Sequence, residues 1–500
     1  MDQSKSPTPK QEAREIELKL TLPYSDRDDA IRMLRNAAPL ARKKSVQENL
    51  LSVYYDTPEQ DLRKMRIALR IRQVDSSTGP MWVQTLKTGG ASGSALTVRG
   101  EWEANVQNGN LDVKALKATP WRDIDPDDTL HKALAPCFIT RFERTTWQVR
   151  AKDKSLVEVA FDNGQIESEG KCAPICEREL ELKAGTTSSL LDLAQSLAAS
   201  VAVVPASLSK AQRGYALAEG TLDMPQRARP PNLRADQTLV EAAQQVFRET
   251  FFQFTRNLDV LLLSDNAEVV HQARVGWRRF KSALRLFKPA IAQERIPDVV
   301  SIKRLLNALG RMRDLDVALV ETLPLIAPVY TSDDSGRQLH WSNFIEATAE
   351  AAKNQRTAVR DAVRDPTVGV TLLNITRYIE GMSPTDAVGT ESKSHRLESW
   401  TERHLRKLKR KLELAVEFAT DKDSQHRARM LAKGLRYGVE STQSVLPNRI
   451  SKRWLKKAAA LQGSIGLSRD FQRLHHFAAE FGADAGLVEF LRGYGSGIGH

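Results

Sequence analysis

The two halves of the chain differ in the period of their apolar positions. Residues 15–20 (EIELKL) alternate charged and apolar side chains, and residues 177–183 (ERELELK) repeat that alternation. A period of two is typical of a strand that is buried on one face. Residues 46–103 and 137–185 also alternate, whereas long stretches rich in Ala, Leu, Arg and Lys follow one another from residue 237 onward. The pattern predicts a strand-rich first domain and a helical second domain.

Composition sets the expected domain boundaries. Residues 1–14 are polar, and we expect them to form a disordered tail. Residues 220–236 contain three prolines and three arginines without an apolar period, which indicates a linker. The first domain is therefore expected over 15–219 and the second over 237–500. Two domains agree with a chain of 500 residues.

The helical half contains an internal repeat. His271 is followed by basic residues three, seven and ten positions later, and His426 has the same pattern 155 residues further on (426 − 271). These positions fall on one face of an α-helix, so each helix presents a stripe of one histidine and three cations. About 30 residues after each stripe comes a Gly-to-Arg-Asp segment, at 310–314 and 466–470, which we interpret as a short turn.

The repeated stripes suggest an anion held between two pseudo-symmetric helices. Like charges along one helix face destabilise an isolated helix slightly. Because the sequence nevertheless has such a stripe twice, in the same register, a binding role for the stripes is favoured. A solvated basic face remains the alternative, because runs of cations on helices are common.

Net charge narrows the class of partner. The chain carries a formal charge of +12, which favours nucleic acid, an anionic membrane surface or inorganic phosphate chains. A soluble basic protein without such a partner is the alternative.

Cysteine content and hydropathy narrow the compartment. Three cysteines form an odd, sparse set, which argues against a disulfide framework and indicates a reducing environment. The sequence shows neither a signal-peptide core nor a run of about 18 apolar residues. We therefore expect a cytoplasmic protein with no membrane partner.

The two acidic strands carry the candidate chemistry. One face of the first has Glu15, Glu17 and Lys19, and the second repeats this pattern with Glu179 and Glu181. Two such strands could line a shared interior and hold a divalent cation through hard oxygen ligands. A solvated strand often looks the same, so it is the repetition that gives the pattern weight.

Residues 15–215 resemble a CYTH domain, the family of triphosphate tunnel metalloenzymes. The shared features are the Glu-x-Glu-x-Lys strand, Tyr55-Asp56-Thr57, Leu69-Arg70-Ile71-Arg72, the Arg99/Glu101 strand, Asp162-x-Gly164 and Glu179-Leu180-Glu181. The resemblance implies an eight-stranded antiparallel tunnel whose lumen binds a triphosphate and one or two metal ions, Mg²⁺ or Mn²⁺.

The resemblance also implies roles for individual side chains. The implied metal ligands are Glu15, Glu17, Glu101, Glu103, Glu179 and Glu181. The implied phosphate contacts in catalysis are Lys19, Arg70, Arg72, Lys87, Arg99, Arg141, Arg144, Lys183, Lys210 and Arg213. For any single cation among them, a structural salt bridge is the alternative.

Residues 237–500 resemble a CHAD domain, the conserved-histidine α-helical family associated with polyphosphate binding. The resemblance rests on the two basic stripes, on Leu435-Arg436-Tyr437-x-x-Glu440 and on the two Arg-Asp pairs. Phe471 departs from it, since the first repeat has Leu315 there. The implied polyphosphate contacts are His271, Arg274, Arg278, Lys281, Arg313, His426, Arg429, Lys433, Arg436 and Arg469. The expected fold class is therefore α+β, an antiparallel tunnel followed by an all-α bundle with an internal repeat.

Three functions are compatible with these features. The first is a metal-dependent inorganic triphosphatase that hydrolyses tripolyphosphate to pyrophosphate and phosphate, with a helical domain that binds long-chain polyphosphate. The second acts on ATP or thiamine triphosphate, but no aromatic cluster indicates a pocket for a base or thiazole ring. The third is a non-catalytic polyphosphate-binding or targeting protein, for which four carboxylates are not needed. A nucleic-acid partner is disfavoured because no recognition motif is present. We expect the first function.

Overall fold

The computed structural model describes residues 14–23, 27–76, 79–90, 93–206, 208–292, 296–332, 334–387, 397–463 and 466–497. The chain divides into two compact units between Asp223 and Met224. The tail expected over residues 1–14 lies outside the described residues except for Arg14. Within the described ranges, no helix is long and apolar enough to cross a membrane.

The first unit is built on one antiparallel sheet that closes on itself. Its strands are β1 (Arg14–Thr21), β2 (Ser45–Asp56), β3 (Ala68–Ser76), β4 (Gly79–Lys87), β5 (Leu96–Val106), β6 (Ala135–Arg150), β7 (Leu156–Ser168) and β8 (Lys171–Ala184). Their order is β5-β4-β3-β2-β6-β7-β8-β1, and β1 also pairs with β5, which closes the barrel. A short strand, β9 (Val204–Pro205), pairs with the end of β1. The predicted eight-stranded antiparallel fold is confirmed.

Seven helices in the described part of this unit surround the barrel or fill its connections. They are α1 (Arg27–Asn36), α2 (Asp61–Lys64), α3 (Val113–Lys117), α4 (Trp121–Ile124), α5 (Thr129–Ala133), α6 (Thr187–Ala198) and α7 (Lys210–Ala218). Helix α7 matters most for the site. Its inner face joins a buried cluster with side chains of β2, β6, β7 and β8, so it forms part of the barrel wall.

Both faces of β1 are buried, so its alternation does not mark a strand with one solvated face. Leu18 and Leu20 are fully buried on the outer side of the barrel, while Glu17 and Lys19 are also buried on the inner side. The charged face therefore lines an interior, which costs free energy unless each charge has a partner. Paired charges inside the barrel are thus a requirement of the fold as well as of any site.

The second unit is helical throughout its regular structure. Its helices are α8 (Leu239–Leu261), α9 (Ala267–Phe287), α10 (Lys303–Val317), α11 (Leu323–Thr331), α12 (Ser335–Val363), α13 (Pro366–Glu380), α14 (Leu397–Glu417), α15 (Lys422–Thr442), α16 (Asn448–Gly463), α17 (Gly466–Glu480) and α18 (Ala485–Gly497). A π-helical turn joins α10 to α11. Helices α14, α15 and α16 pack in succession, and α9 packs against both α8 and α15. The expected all-α second domain is confirmed.

The segment expected as a linker makes specific contacts with the helical unit. The N–H of Gln226 donates to Asn257 Oδ1 at 3.0 Å. The N–H of Leu233, which is buried, donates to Ser444 Oγ at 2.9 Å. Residues from 224 onward therefore fold with the second unit although they form no helix or strand before α8.

The two Gly-to-Arg-Asp segments are not turns, so that prediction was wrong. Residues 310–314 lie inside α10, and residues 466–470 begin α17. Gly310 has a packing role instead of a turn role. A Cβ atom at this position would lie 2.9 Å from Arg274 Nη1, so the missing side chain leaves room for that guanidinium. The segment was misread because Gly and Asp are also typical turn residues.

Candidate functional site

A cavity of about 510 Å³ lies inside the barrel, with walls from all eight long strands and from α7. Apart from Tyr54, Ser209 and three alanines, its described lining is charged. The cationic side chains are Arg14, Lys19, Arg70, Arg72, Lys87, Arg99, Arg144, Lys183 and Lys210. The carboxylates are Glu15, Glu17, Glu101, Glu103, Glu158, Glu179 and Glu181. Both signs of charge therefore meet in one lumen.

The strand register brings the two acidic strands together. In the β1–β8 pair, Glu17 lies opposite Glu181 and Lys19 lies opposite Glu179. On the other side of β1, Glu15 lies opposite Arg99 of β5. Directly opposed residues on one face of a sheet are close neighbours, so the carboxylates of β1 and β8 share one side of the lumen.

Two cations hold Glu15 in its ionised form. Arg99 Nε donates to Glu15 Oε2 at 2.7 Å, and Lys87 Nζ donates to Glu15 Oε1 at 3.0 Å. Burial alone would raise the pKa of Glu15, but the charges of Lys87 and Arg99 outweigh it and hold that pKa well below its usual range. Glu15 is therefore a carboxylate at any working pH.

The pKa values of Glu17 and Glu181 shift in the opposite direction to that of Glu15. Burial and the neighbouring Glu179 raise the pKa of Glu17, although Lys19 and Arg99 oppose the effect. Burial also raises the pKa of Glu181, and Glu15 is one of the carboxylates that add to it. Burial is the largest cause for both groups, and the ion pairs of Glu17 with Arg99 and of Glu181 with Lys183 oppose it. Several hard carboxylate oxygens gathered on one side of the lumen fit a divalent cation such as Mg²⁺ or Mn²⁺.

A second acidic group centres on Lys210. Its Nζ donates to Asp162 Oδ2 at 2.5 Å, to Glu179 Oε1 at 3.0 Å and to Glu177. Oxygen atoms of these three carboxylates lie within 4.8 Å of one another, a spacing compatible with a metal ion. Arg144 also donates to Asp162, at 2.7 and 2.6 Å. Of the three carboxylates, only Glu179 was predicted as a metal ligand.

The sequence contained signals for the two missed carboxylates. Asp162 belongs to the Asp-x-Gly feature of the CYTH resemblance, and Glu177 stands two residues before Glu179 in the same alternation. Residues two apart on a strand point to the same face, so Glu177 could have been assigned to the lumen together with Glu179. Tyr54, Glu158, Arg14 and Ser209 are further lining residues that were not predicted.

One wall of the lumen is predominantly cationic. Arg72 Nε donates to Ser52 Oγ at 3.2 Å, and burial together with the charges of Arg70 and Arg144 lowers the pKa of Arg72 to about 9. Guanidinium groups of Arg72 and Arg144 also lie over the Phe142 ring, 5.8 and 5.7 Å from its centroid. Crowded, buried cations are unfavourable by themselves, and an anion bound between them would relieve the repulsion.

Most of the predicted lumen residues line the cavity, but two predicted phosphate contacts do not. Arg141 is 60% exposed and lies 3.7 Å from Glu167, outside the lumen. It stands three residues from Arg144 on β6, and an odd spacing along a strand places two side chains on opposite faces. Arg213, on α7, contacts Glu177 at 3.2 Å and the carbonyl oxygen of Pro174 at 2.5 Å, behind the cavity lining.

Apart from Arg469 on α17, the predicted polyphosphate contacts lie on three helices. The first stripe runs along α9, the second along α15, and Arg313 lies on α10. Arg313 Nη2 donates to Glu321 at 2.7 Å, and Arg436 Nε donates to Glu440 at 2.7 Å. The Arg469 side chain lies outside the described residues. Because α9 packs against α15, the two stripes belong to neighbouring helices.

His271 is neutral near pH 7. Its Nδ1 atom is buried and has no hydrogen-bond partner among the described residues. Burial, followed by the charge of Arg313, lowers the pKa of His271 below its usual value. Any charge that this histidine adds to the first stripe therefore appears only under more acidic conditions than for a free histidine.

The structure thus defines a two-domain class of protein. Its first domain is an antiparallel barrel with a charged lumen, and its second is all-helical with paired basic stripes. Two family models match the chain, the CYTH domain over residues 13–215 and the CHAD domain over residues 245–479. These two matches confirm the resemblances noted in the sequence: the first domain is matched by the CYTH model and the second by the CHAD model.

Individual relatives cover parts of the chain. An inorganic triphosphatase from Haemophilus influenzae is 36% identical over 167 residues, which are 33% of this chain and 45% of that protein. The chain thus spans less than half the length of this curated relative.

Among solved structures, the CHAD domain from the plant Ricinus communis is 25% identical, covering 55% of this chain and 90% of that one, with a TM-score of 0.46. A putative adenylyl cyclase from Hippeastrum, described as having a dominant triphosphatase activity, is 18% identical. It covers 40% of this chain and 95% of that one, with a TM-score of 0.30.

Proposed function

We propose that the first domain is a divalent-metal-dependent inorganic triphosphatase, which hydrolyses tripolyphosphate to pyrophosphate and phosphate. The observation that carries the proposal is the lumen, about 510 Å³ in volume and lined by nine cations and seven carboxylates. A triphosphate has several negative charges, so it needs cations. A purely cationic lumen would repel the metal, so it needs carboxylates as well. The relative that is an inorganic triphosphatase supports the same chemistry.

The cationic wall would bind the substrate. Arg70, Arg72 and Arg144 offer guanidinium forks, which match the geometry of phosphate oxygens. Lys210 adds a compact charge from α7. Because these groups extend from β3, β6 and α7 of the barrel wall, they need little ordering to neutralise the substrate.

The carboxylate side would hold the metal. Glu15, Glu17, Glu179 and Glu181 offer hard oxygen atoms, with Glu101 and Glu103 nearby in the lining. When bound, such a metal polarises a phosphoryl group as a Lewis acid. Lys87 and Arg99 keep Glu15 ionised, so protons do not compete with the metal for that ligand.

The lining favours an inorganic substrate over an organic triphosphate. Among the lining residues that the structure describes, Tyr54 is the only aromatic one, and the alanines offer little apolar surface. A nucleobase or thiazole ring is held best by apolar and aromatic walls. Tripolyphosphate needs no such wall.

For the second domain we propose binding of long-chain polyphosphate along α9 and α15. The support is the pair of basic stripes on helices that pack against each other. Since a polyanion releases condensed counterions when it binds cations, affinity should fall steeply with salt.

Phosphate release from four substrates tests the catalytic proposal. Tripolyphosphate, ATP, thiamine triphosphate and long-chain polyphosphate are compared side by side with Mg²⁺, with Mn²⁺ and with excess EDTA. We expect metal-dependent release that is fastest from tripolyphosphate. Tight binding of tripolyphosphate without release would instead support a non-catalytic binding protein, and preference for an organic triphosphate would contradict the inorganic assignment.

Two matched variants of the full chain test the binding proposal. The first replaces four stripe cations by glutamine: Arg274, Lys281, Arg429 and Arg436. The second removes four exposed cations of α16 in the same way: Arg449, Lys452, Arg453 and Lys456. We expect only the first variant to lose affinity for long-chain polyphosphate and to show a flatter dependence on salt. Equal losses would mean that the stripes are an ordinary basic surface.

A further inference from the structure

Lys210 reaches the lumen in a way that sets it apart from the other cations there. In the described lining, every other cation extends from a barrel strand, whereas Lys210 is the first residue of α7. Ser209 caps the start of this helix: its hydroxyl accepts from the Gln212 N–H at 3.2 Å, and its own N–H donates to Gln212 Oε1 at 2.8 Å. The position of the Lys210 ammonium therefore depends on how firmly α7 is attached to the barrel.

A buried hydrogen bond attaches the middle of α7. The hydroxyl of Tyr215 donates to Asp56 Oδ2 at 2.6 Å. Asp56 is 2% exposed, and its carboxylate also accepts from the N–H groups of Thr57, Leu62 and Arg63 at 2.7, 2.9 and 3.1 Å. These bonds fix Asp56 where β2 ends and α2 begins, so Tyr215 is tied to the barrel frame. Hydrogen bonds to an ionised acceptor are stronger than neutral ones.

Further contacts of Tyr215 and its neighbours attach α7 near its C-terminal end and on the side towards the lumen. Arg63 Nη2 donates to Glu219 Oε2 at 3.0 Å, just beyond the end of α7, and its guanidinium lies 5.0 Å from the Tyr215 ring centroid. Towards the lumen, the Tyr215 ring packs edge-on against Phe138, which stacks on Tyr54 in the cavity lining at 4.6 Å between centroids. A Cβ at Gly214 would lie 2.3 Å from the Phe138 ring, so α7 approaches β6 closely.

We propose that Asp56 and Tyr215 are positioning residues, whose hydrogen bond holds α7 in the barrel wall and thereby sets where the Lys210 ammonium stands in the lumen. Tyr215 follows Lys210 by five residues, about 7.5 Å along the helix axis. The ion pairs of Lys210 with Asp162 and Glu179 do not secure the helix by themselves, because a bound metal or phosphate competes for the same groups. Neither Asp56 nor Tyr215 lines the cavity, so a bound metal or phosphate does not compete for their hydrogen bond.

This inference deepens the proposed triphosphatase function and rests on it for its kinetic test. Tyr215→Phe removes only the hydroxyl, and Tyr55→Phe is the matched control. Tyr55 is the residue before Asp56 on β2, and it packs against a different buried cluster. We expect Tyr215→Phe to raise the KM for tripolyphosphate about tenfold with a smaller change in kcat, since a charge-assisted hydrogen bond is lost. The control should match the wild type.

A double-mutant cycle separates positioning from general stability. In a Lys210→Met background, Tyr215→Phe should have no further effect on KM, because the group it positions is absent. If Tyr215→Phe raises KM by the same factor in both backgrounds, Tyr215 does not act through Lys210 and the inference is overturned. An unchanged KM in the single variant has the same consequence.

Hydrogen exchange tests the attachment without any substrate. The backbone amides of α7 should exchange faster in Tyr215→Phe than in Tyr55→Phe, while those of β7 and β8 should not change. If the wild type hydrolyses no tripolyphosphate, the proposed function fails but this measurement still decides the attachment. Equal exchange rates of the α7 amides in the two variants would overturn the inference that the Tyr215 hydroxyl attaches α7 to the barrel.

Discussion

Arg72 is predicted to lower the stability of the unliganded protein while it supports substrate binding. Burial and the charges of Arg70 and Arg144 hold its pKa at about 9 instead of 12.5. That difference corresponds to an unfavourable free energy of about 5 kcal/mol for the charged side chain at neutral pH. Water in the lumen screens part of this, so we expect about 2 kcal/mol in practice, within the range found when buried charges are replaced by hydrophobic groups.

Arg72→Met removes the charge while keeping a side chain of comparable length. The variant should unfold at a temperature about 4 to 8 °C above the wild type in the absence of ligand. Its kcat/KM for tripolyphosphate should nevertheless fall at least about tenfold, because a charged contact to the substrate is lost. Calorimetric unfolding of the full chain and phosphate release measure the two effects.

The pH dependence gives an independent check. The folded protein holds the Arg72 proton less tightly than the unfolded chain, so the wild type gains stability as pH rises through about 9. The stabilisation by Arg72→Met is therefore fully present at pH 7 and should shrink above pH 9.

Arg141→Met is the control for both measurements, since Arg141 lies on the outer face of β6 and outside the lumen. It should change neither unfolding nor catalysis appreciably. Two results would refute this reasoning about the cationic wall. An Arg72→Met protein less stable than the wild type would show that the buried cations do not destabilise the fold, and a wild-type kcat/KM would show that Arg72 does not contact the substrate.

Three other outcomes are expected. Excess EDTA should abolish tripolyphosphate hydrolysis and added Mg²⁺ or Mn²⁺ should restore it; activity that survives chelation would contradict the metal assignment. Replacing Glu15 and Glu17 together by glutamine should lower kcat at least about tenfold, or about 1.4 kcal/mol, at saturating metal. It should also lower the unfolding temperature, because Arg99 loses both carboxylate partners, while circular dichroism below that temperature shows the barrel still folded. Gly310→Ala should leave the unfolding temperature unchanged or higher, because alanine favours helices, yet weaken polyphosphate binding by displacing Arg274, which a titration would show.

The sequence predicted the elements well where the signal is local. Alternation at 15–20 and 177–183 identified strands β1 and β8, and the spacing after His271 and His426 identified the faces of α9 and α15. Such periods arise from the geometry of single strands and helices, so they can be recognised without any tertiary contact. The same local patterns allowed the fold class and the two families to be named.

Local reasoning failed where one residue type has two uses. Gly310 was read as part of a turn, but it serves as a gap for Arg274 within a helix. Arg141 was grouped with Arg144 as a phosphate contact, although strand alternation separates them. The first error needed the packing of α9 on α10 to be seen, while the second could have been avoided from the sequence.

The amino-acid sequence by itself thus determined the secondary structure, the charge of the lumen-facing strands and the basic stripes. Only the tertiary structure decided which charges meet. The register of β1 with β8 set Glu17 opposite Glu181, and α7 brought Lys210 to Asp162, 48 residues away in sequence. The bond between Asp56 and Tyr215 joins residues 159 apart. Contacts of this kind depend on how the closed sheet aligns distant segments, and no local period records that alignment.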